Sequence, residues 1–335
     1  LEDGRSYGRV YPLYGSGTTM CVNSDWRDWS FELIGEAMRT GIDGVFLDGP
    51  VVFPECCYCS SCREEFKLRY DAEAPRWEDW ANSIWKDFID FREASMVDYL
   101  KGAKKAVTDI DPKGVVFLNA GGWWPGSWRV ARNIERLSEY QNFNGAEAFF
   151  HPGEHVPPLF FSAIEAKHLV TEGKPAIVFT HHALGAWHYV PLSHFETEIA
   201  MAQTIACGAN PWFAIFNYSL DHSLDESMKP IRNILGFMER NEEYYTATRS
   251  ESETAVLISS QTSTFYISGL TELYLDLGAG VERDLAIDQG TGEKKLNLGI
   301  RKRICDDLYS NCVLGFTSLM WRNHILFDVV LDKQM

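Results

Sequence analysis

One recurring pattern in the central part of the sequence constrains the fold more than any other feature. A short strand of β-branched or aromatic residues ends in a polar or glycine-containing turn, and a helical stretch follows. The strands predicted in this way include residues 44–47, 115–118, 176–180 and 212–216. Repeated strand–helix units predict an α/β protein with a parallel sheet covered by helices.

The number of these units favours a barrel. Two more strands, at 18–21 and 144–150, bring the series to six, and helices are predicted at 29–38 and 194–207. Eight units close a (β/α)8 TIM-type barrel. We therefore predict such a barrel as the catalytic domain over residues 1–248, with its N-terminal strands missing from the sequence.

A polar stretch at residues 249–253 is interpreted as a linker to a second domain. The predicted strand 254–260, helix 305–323 and strand 325–331 form a pattern typical of an open, doubly wound α/β domain. Residues 249–335 are therefore expected to begin that domain.

The acidic net charge of the chain excludes some classes of binding partner. The 335 residues include 47 acidic and 31 basic side chains, which gives a formal net charge of -16 at pH 7. Nucleic acids and anionic membranes require a basic surface, so neither is an expected partner. The sequence lacks the roughly 18-residue apolar run of a membrane helix, so a soluble chain is expected. Residues 1–20 show no signal core, but a lost N-terminus could have carried one, so the compartment stays open and a cytoplasmic location is only the favoured expectation.

Three closely spaced cysteines predict a metal site. The pattern Cys57-x-Cys59-x-x-Cys62 supplies three thiolates that a loop can fold around one tetrahedral ion. Cys21, which ends a predicted strand, is the preferred fourth ligand, and Cys56 is the local alternative. Four sulfur ligands suit zinc and leave no position for a substrate, so we predict structural zinc. Surface cysteines that are reduced or partly disulfide-bonded are the alternative interpretation.

Two carboxylates at strand ends are the candidate catalytic groups. The C-terminal ends of barrel strands meet on one face, where active sites lie. Asp48 follows a buried strand and precedes Gly49-Pro50, although a simple Asp-Gly turn would also explain it. Glu147 is chosen by its position alone, and a rim carboxylate paired with a cation is its alternative. Glycosidic cleavage needs two carboxylates in different environments.

Aromatic and polar residues near the same strand ends predict a carbohydrate pocket, because aromatic faces pack against the C–H faces of sugars. The candidate substrate-binding residues are Asn119, Trp123, Trp124, His181, His182 and Trp187. His181 and His182 are adjacent in a predicted strand and so point to opposite faces, which disfavours a catalytic zinc ion shared between them. Glu55, Glu154 and Glu165 remain alternative acids.

Part of the sequence resembles family 42 β-galactosidases. The stretch 21–27, Cys-Val-Asn-Ser-Asp-Trp-Arg, together with Cys57-x-Cys59-x-x-Cys62, Phe66 and Tyr70, is similar to the zinc-bearing region of that family. Family 42 enzymes carry an Asn-Glu acid/base pair where this chain has Leu47-Asp48. The catalytic pair of family 42 therefore does not transfer to this sequence.

The stretch 41–50, Gly-Ile-Asp-Gly-Val-Phe-Leu-Asp-Gly-Pro, looks more like the hypothetical glycosyl hydrolase 6 group, whose domain occurs in family 151 α-L-fucosidases. This resemblance spans most of residues 8–248. The related family 29 fucosidases place an aspartate nucleophile in a similar Phe-Asp-Gly setting, and Asp48 matches that position. The resemblance implies a retaining, α-L-fucosidase-like enzyme in which Asp48 attacks the anomeric carbon and a glutamate serves as acid and base.

Residues 254–260 with Phe265-Tyr266 resemble the start of a β-galactosidase trimerisation domain, which implies a homo-oligomer, expected to be a trimer. The expected partner is an oligosaccharide or glycoside substrate, and no organic cofactor is expected. Two alternatives stay open: a β-galactosidase-like glycosidase, and a carbohydrate-binding protein without catalytic activity.

Overall fold

Strands and helices alternate along most of the chain in the computed structural model. It describes residues 8–11, 15–18, 20–52, 57–75, 82–119, 131–148, 160–181, 192–215, 225–263, 309 and 311–335. The strands are β1 (Gly8–Tyr11), β2 (Gly15–Thr18), β3 (Gly44–Leu47), β4 (Val115–Leu118), β5 (Asn144–Glu147), β6 (Ala176–His181), β7 (Asn210–Ala214), β8 (Ala255–Ile258) and β9 (Asp328–Leu331). The helices are α1 (Trp26–Arg39), α2 (Ser60–Tyr70), α3 (Ser83–Thr108), α4 (Ile134–Leu137), α5 (Phe161–Val170), α6 (His194–Ala206), α7 (Asp225–Arg240) and α8 (Asn311–Arg322).

Strands β3 to β9 all pair in parallel. β3 pairs with β4 from Gly44↔Val115 to Leu47↔Leu118. β6 lies between β5 and β7, and β8 pairs with β9. Parallel neighbours need long crossover connections, which the intervening helices provide. The predicted mixed α/β class with parallel strands is confirmed.

The predicted strand at 18–21 is wrong. β2 ends at Thr18 and pairs antiparallel with β1. Cys21 instead begins a turn, in which its carbonyl accepts hydrogen bonds from Ser24 N at 3.1 Å and Ser24 Oγ at 2.8 Å. A serine hydroxyl that binds the local backbone favours a turn over a strand, and this turn leads directly into α1.

The ends of α6 follow from its sequence. Ser193 and Glu196 form a reciprocal capping box at the N-terminus, with Glu196 N donating to Ser193 Oγ at 3.3 Å and Ser193 N donating to Glu196 Oε2 at 2.8 Å. Gly208 follows the helix with φ of +85°, a left-handed conformation in which glycine commonly ends a helix.

The described elements group into two compact units. The first contains β1 to β4 and α1 to α4. The second contains β5 to β9, α5 to α8 and Asn119. None of the described helices has both the length and the apolar character needed to cross a bilayer.

An aromatic cluster forms much of the core of the first unit. Phe66 of α2 makes edge-to-face contacts with Phe88 at 5.7 Å and Phe91 at 5.5 Å, both on α3. Phe66 and Phe88 are fully buried. Asn82 caps α3 by accepting a hydrogen bond from Ile84 N at 3.1 Å. The cysteine-bearing segment rests on this cluster.

The second unit includes the chain's last described elements. Lys167 of α5 donates to Asp328 of β9 at 3.0 Å, and the rings of Phe160 and Trp321 stack at 5.1 Å. The strand and helix predicted at 254–260 and 305–323 are observed as the shorter elements β8 and α8. The domain boundary between residues 248 and 249 stays a prediction.

Candidate active site and metal centre

Four cysteines converge in the first unit. The Sγ atoms of Cys21, Cys57, Cys59 and Cys62 all lie within 4.8 Å of one another. Cys21 Sγ is 3.4 Å from Cys62 Sγ and 3.6 Å from Cys59 Sγ, and all four cysteines are free of disulfides. Four sulfurs around one zinc ion at about 2.3 Å would be separated by roughly 3.8 Å. The cluster therefore has the donor set and spacing to hold one metal ion.

Two parts of the chain supply these ligands, the turn before α1 and the segment 57–62 at the start of α2. Cys21 lies in the turn before α1, Cys59 occupies the N-cap position of α2, and Cys62 lies in its first turn. Of the two alternatives for the fourth ligand, the structure brings Cys21 into the cluster. Cys56 lies outside the described residues.

Neighbouring polar groups hold the sulfurs in place. Asn23 donates to Cys21 Sγ from its backbone N and to Cys62 Sγ from Nδ2, both at 3.3 Å. The same Nδ2 donates to Ser95 Oγ of α3 at 2.8 Å. Hydrogen bonds of this kind orient ligand atoms and tune them. The sequence pattern alone did not indicate Asn23 or Ser95 as supporting residues.

The thiols influence one another's ionisation. A hydrogen bond with Cys21 lowers the pKa of Cys57 to about 7. Hydrogen bonds with Cys21, Cys57 and Cys62 also lower the pKa of Cys59 far below its usual range, whereas those at Cys62 raise the pKa of that thiol. The four thiols thus interact strongly, so that ionisation of some opposes ionisation of the others, and thiolates are the form that binds metals.

Asp48 follows β3 on an exposed turn of the first unit. Its backbone carbonyl accepts a hydrogen bond from Arg132 Nη2 at 3.1 Å. Arg132 is itself buried. Its contact with the turn joins residues 84 positions apart in sequence, and no local pattern predicts it.

Three predicted site residues meet in the second unit. Glu147 Oε2 accepts a hydrogen bond from Asn119 Nδ2 at 3.3 Å, and Glu147 Oε1 shares a hydrogen bond with His181 Nε2. These residues come from the C-terminal ends of β5 and β6 and from the bridge that pairs Asn119 with Gly145. Asn119 and His181 are buried, and the Glu147 side chain is 20% exposed. Glu147 is thus oriented by an amide and an imidazole and still reaches solvent.

An aromatic surface lies beside Glu147. Glu147 pairs with Phe179, which pairs with Trp212, so these side chains share one face of the parallel sheet. The rings of Phe179 and Trp212 are 5.3 Å apart, and Phe179 contacts the His181 ring edge-on at 6.0 Å. Trp212 is 39% exposed, which leaves part of its surface available to a ligand.

Other predicted site residues lie outside the described part of the chain: Trp123, Trp124, His182, Trp187, Glu55 and Glu154. Glu165, considered as an alternative acid, lies within α5 and is only 1% exposed. Its position on a buried helix does not match that of a strand-end acid, so Glu147 is the better candidate of the two.

Comparison with known proteins identifies the fold. The sequence matches no protein-family model and no curated protein. The chain is similar to the crystal structure of a β-galactosidase from Bacillus circulans sp. alkalophilus, with a TM-score of 0.63 and 16% identity over 96% of this chain and 52% of that one. A cold-adapted β-galactosidase from Rahnella sp. R3 gives a TM-score of 0.63 at 13% identity, over 96% of this chain and 51% of that one.

A third similar structure is Gan42B, a GH42 β-galactosidase from G. stearothermophilus. It matches with a TM-score of 0.63 and 14% identity, over 97% of this chain and 52% of that one. The chain therefore has the fold of these β-galactosidases and spans about half of their length. These three structures are β-galactosidases, and they give no support to the α-L-fucosidase hypothesis.

Proposed function

We propose that the chain is the catalytic part of a retaining, β-galactosidase-like glycoside hydrolase that removes a terminal sugar. The observation that best supports this is the hydrogen-bonded set Asn119–Glu147–His181, found at strand ends in a fold shared with β-galactosidases. Such strand ends are where barrel enzymes place their catalytic groups. A closed (β/α)8 barrel is part of the same proposal.

In the proposed mechanism Asp48 is the nucleophile. Its carboxylate attacks the anomeric carbon while Glu147 donates a proton to the departing glycosidic oxygen, and a covalent glycosyl–enzyme ester forms. Glu147, now ionised, then takes a proton from water. That water attacks the anomeric carbon, which releases the sugar and regenerates Asp48.

The residues around Glu147 have distinct proposed roles. Asn119 and His181 hold the carboxyl group in one orientation. The positions on its oxygens that these hydrogen bonds leave open would face the substrate. Trp212 offers an aromatic face for stacking against a sugar ring. We assign substrate contacts also to Trp123, Trp124, His182 and Trp187, on the basis of their positions in the sequence.

We propose zinc as the metal of the four-cysteine cluster. Four thiolates suit this ion and close its coordination shell, so its role would be structural. Cys21, Cys57, Cys59 and Cys62 would hold it and would thereby fasten the turn before α1 to the start of α2. We also propose that residues 249–335 belong to a trimerisation-like domain and that the full-length protein is a homo-oligomer.

The proposal is tested with the Asp48→Asn variant on 4-nitrophenyl glycosides. The wild-type chain is expected to hydrolyse the β-D-galactoside with retention, detected as the initially released anomer by NMR. Loss of the nucleophile should lower kcat by on the order of 10³-fold or more. Asp43→Asn is the matched control, because Asp43 is exposed just before the same strand and should tolerate the change.

Each alternative predicts its own result in this assay. Hydrolysis of the α-L-fucoside in preference to the galactoside would establish the fucosidase specificity instead. Binding of galactose without cleavage of any glycoside would indicate a carbohydrate-binding protein. Full activity of Asp48→Asn would refute the assignment of the nucleophile.

A further inference from the structure

Two buried arginines hold the chain where it leaves β3. Arg132 donates from Nη2 to the carbonyl of Asp48 at 3.1 Å and from Nε to the carbonyl of Pro50 at 3.2 Å. Arg92 of α3 donates from Nη2 to the carbonyl of Val52. Three alternate carbonyls, at residues 48, 50 and 52, are thus bound by two side chains.

The spacing of these carbonyls explains why arginine suits the position. Every second residue from 48 to 52 offers one of these carbonyls, and a backbone carbonyl withdrawn from water needs a hydrogen-bond donor in its place. Pro50 interrupts regular pairing because it has no N–H. A guanidinium group carries five N–H donors in a fixed plane, so Arg132 can reach two such carbonyls at once.

The burial of both arginines indicates that this arrangement is tightly defined. Arg92 is 1% exposed and Arg132 is 7% exposed. The guanidinium of Arg92 also lies 6.0 Å from the ring centre of Phe88. A buried cation is unfavourable unless hydrogen bonds compensate for lost water, and here backbone carbonyls provide part of that compensation.

We propose that Arg132, assisted by Arg92, is a positioning residue that fixes the backbone of the turn 48–52 and so aims the Asp48 carboxylate at the substrate. This inference rests on the proposed role of Asp48 as nucleophile. Asp48 directly follows β3, and Arg132 binds its carbonyl and that of Pro50 two residues later. These two hydrogen bonds restrain the backbone that carries the Asp48 side chain, and a positioned nucleophile reacts faster than a mobile one.

The test compares Arg132→Met, which keeps much of the side-chain length but has no donors, with Arg132→Lys, which can donate to one carbonyl at a time. Arg249→Met is the control, because Arg249 is exposed and pairs only locally with Glu251 in the described structure. Misplacement of the nucleophile is expected to lower kcat by about 10- to 100-fold in Arg132→Met. Arg132→Lys should recover part of this loss, and KM should change little.

Hydrogen–deuterium exchange of the full chain supplies a measurement that does not depend on activity. Peptides covering residues 48–52 should exchange faster in Arg132→Met than in wild type, while peptides of α6 should not change. Unchanged exchange at 48–52 would overturn the proposed positioning role, whatever the activity of the variant.

The kinetic and exchange results separate two kinds of failure. An inactive wild type, or an active Asp48→Asn variant, would refute the proposed function but leave the exchange test of the turn 48–52 intact. Faster exchange with unchanged kcat would show that Arg132 restrains the turn without aiding catalysis, which also overturns the proposal. Loss of kcat together with faster exchange, partly reversed by lysine, is the supporting result.

Discussion

His181 and Glu147 share a hydrogen bond between Nε2 and Oε1 at the C-terminal ends of two adjacent parallel strands. Asn119 donates to the other carboxyl oxygen of Glu147 from a third segment. A carboxyl group held on both oxygens has little freedom to rotate, so its orientation is set before any ligand arrives. Mutations can therefore test two roles separately, proton transfer by Glu147 and the positioning of Glu147 by His181.

Replacing Glu147 with glutamine should remove proton donation and retain the shape of the site. We expect kcat to fall by about 10²- to 10⁴-fold on an alkyl glycoside, whose leaving group needs a proton. The rate of glycosidic bond cleavage, measured as kcat/KM, should fall much less with a 2,4-dinitrophenyl leaving group, which departs without a proton. Steady-state kinetics on the two substrates measure this difference, with exposed Glu243→Gln as the control. Equal losses of kcat/KM on both substrates, which reports the bond-breaking step alone, would contradict the role of Glu147 as the acid.

Replacing His181 should affect Glu147 indirectly. His181→Phe removes the hydrogen bond to Glu147, and we expect kcat to fall by roughly 10- to 100-fold through misplacement of the acid. His181→Gln keeps a donor on a flexible side chain and should lose less. KM should change little in His181→Phe, because the variant alters the orientation of the acid rather than the contacts that bind the sugar. Unchanged kcat in His181→Phe would mean that His181 has only a packing role.

Metal content tests the cysteine cluster. Purified wild-type protein should carry about one zinc ion per chain, as expected of a four-cysteine structural site. Cys59→Ser should lose most of this zinc and melt at a lower temperature, since structural zinc contributes folding energy. Cys312→Ser is the matched control, because Cys312 is an exposed free cysteine outside the cluster. Equal zinc in all three proteins would place the metal elsewhere.

The stability of the chain should depend on pH through His168. Burial on α5 lowers the pKa of His168 from its usual 6.5 to about 4. The unfolded chain therefore takes up a proton at this position as the pH falls below 6.5, while the folded chain resists until about pH 4. A shift of this size corresponds to roughly 3 kcal/mol of stability that is present at neutral pH and lost in acid.

Denaturant unfolding of wild type and His168→Gln at pH 7 and pH 4.5 measures this contribution. Wild type should lose more free energy of unfolding between the two pH values than the variant does, because glutamine does not titrate. Identical losses in the two proteins would show that His168 is not responsible.

The sequence predicted those features that depend on local spacing. The pattern Cys57-x-Cys59-x-x-Cys62 identified the metal-binding loop, a short apolar run located the strand before Asp48, and the distance along the chain located the strand that ends at Glu147. Cys21 was the preferred fourth ligand in the sequence, and the structure brings its sulfur into the cluster. The strand predicted at 18–21 was wrong because local side-chain hydrogen bonds formed a turn there.

The arginine contacts could not be predicted in the same way. Arg132 meets the carbonyl of Asp48 across 84 positions of sequence, and such a contact is set by tertiary packing. Arg92 gave only a weak signal, because it lies beside the apolar Phe88 and Phe91 but is also next to the acidic Glu93, which alone would explain a charged residue there. A charged residue within an apolar helix face indicates a buried partner but not its identity.

Helix α3 carries both Ser95, which supports the cysteine cluster through Asn23, and Arg92, which holds the turn after Asp48. One helix therefore supports both the metal cluster and the backbone next to the proposed nucleophile. A substitution that displaces α3 as a whole should weaken zinc retention and lower kcat together, whereas loss of a single contact should affect only one of the two.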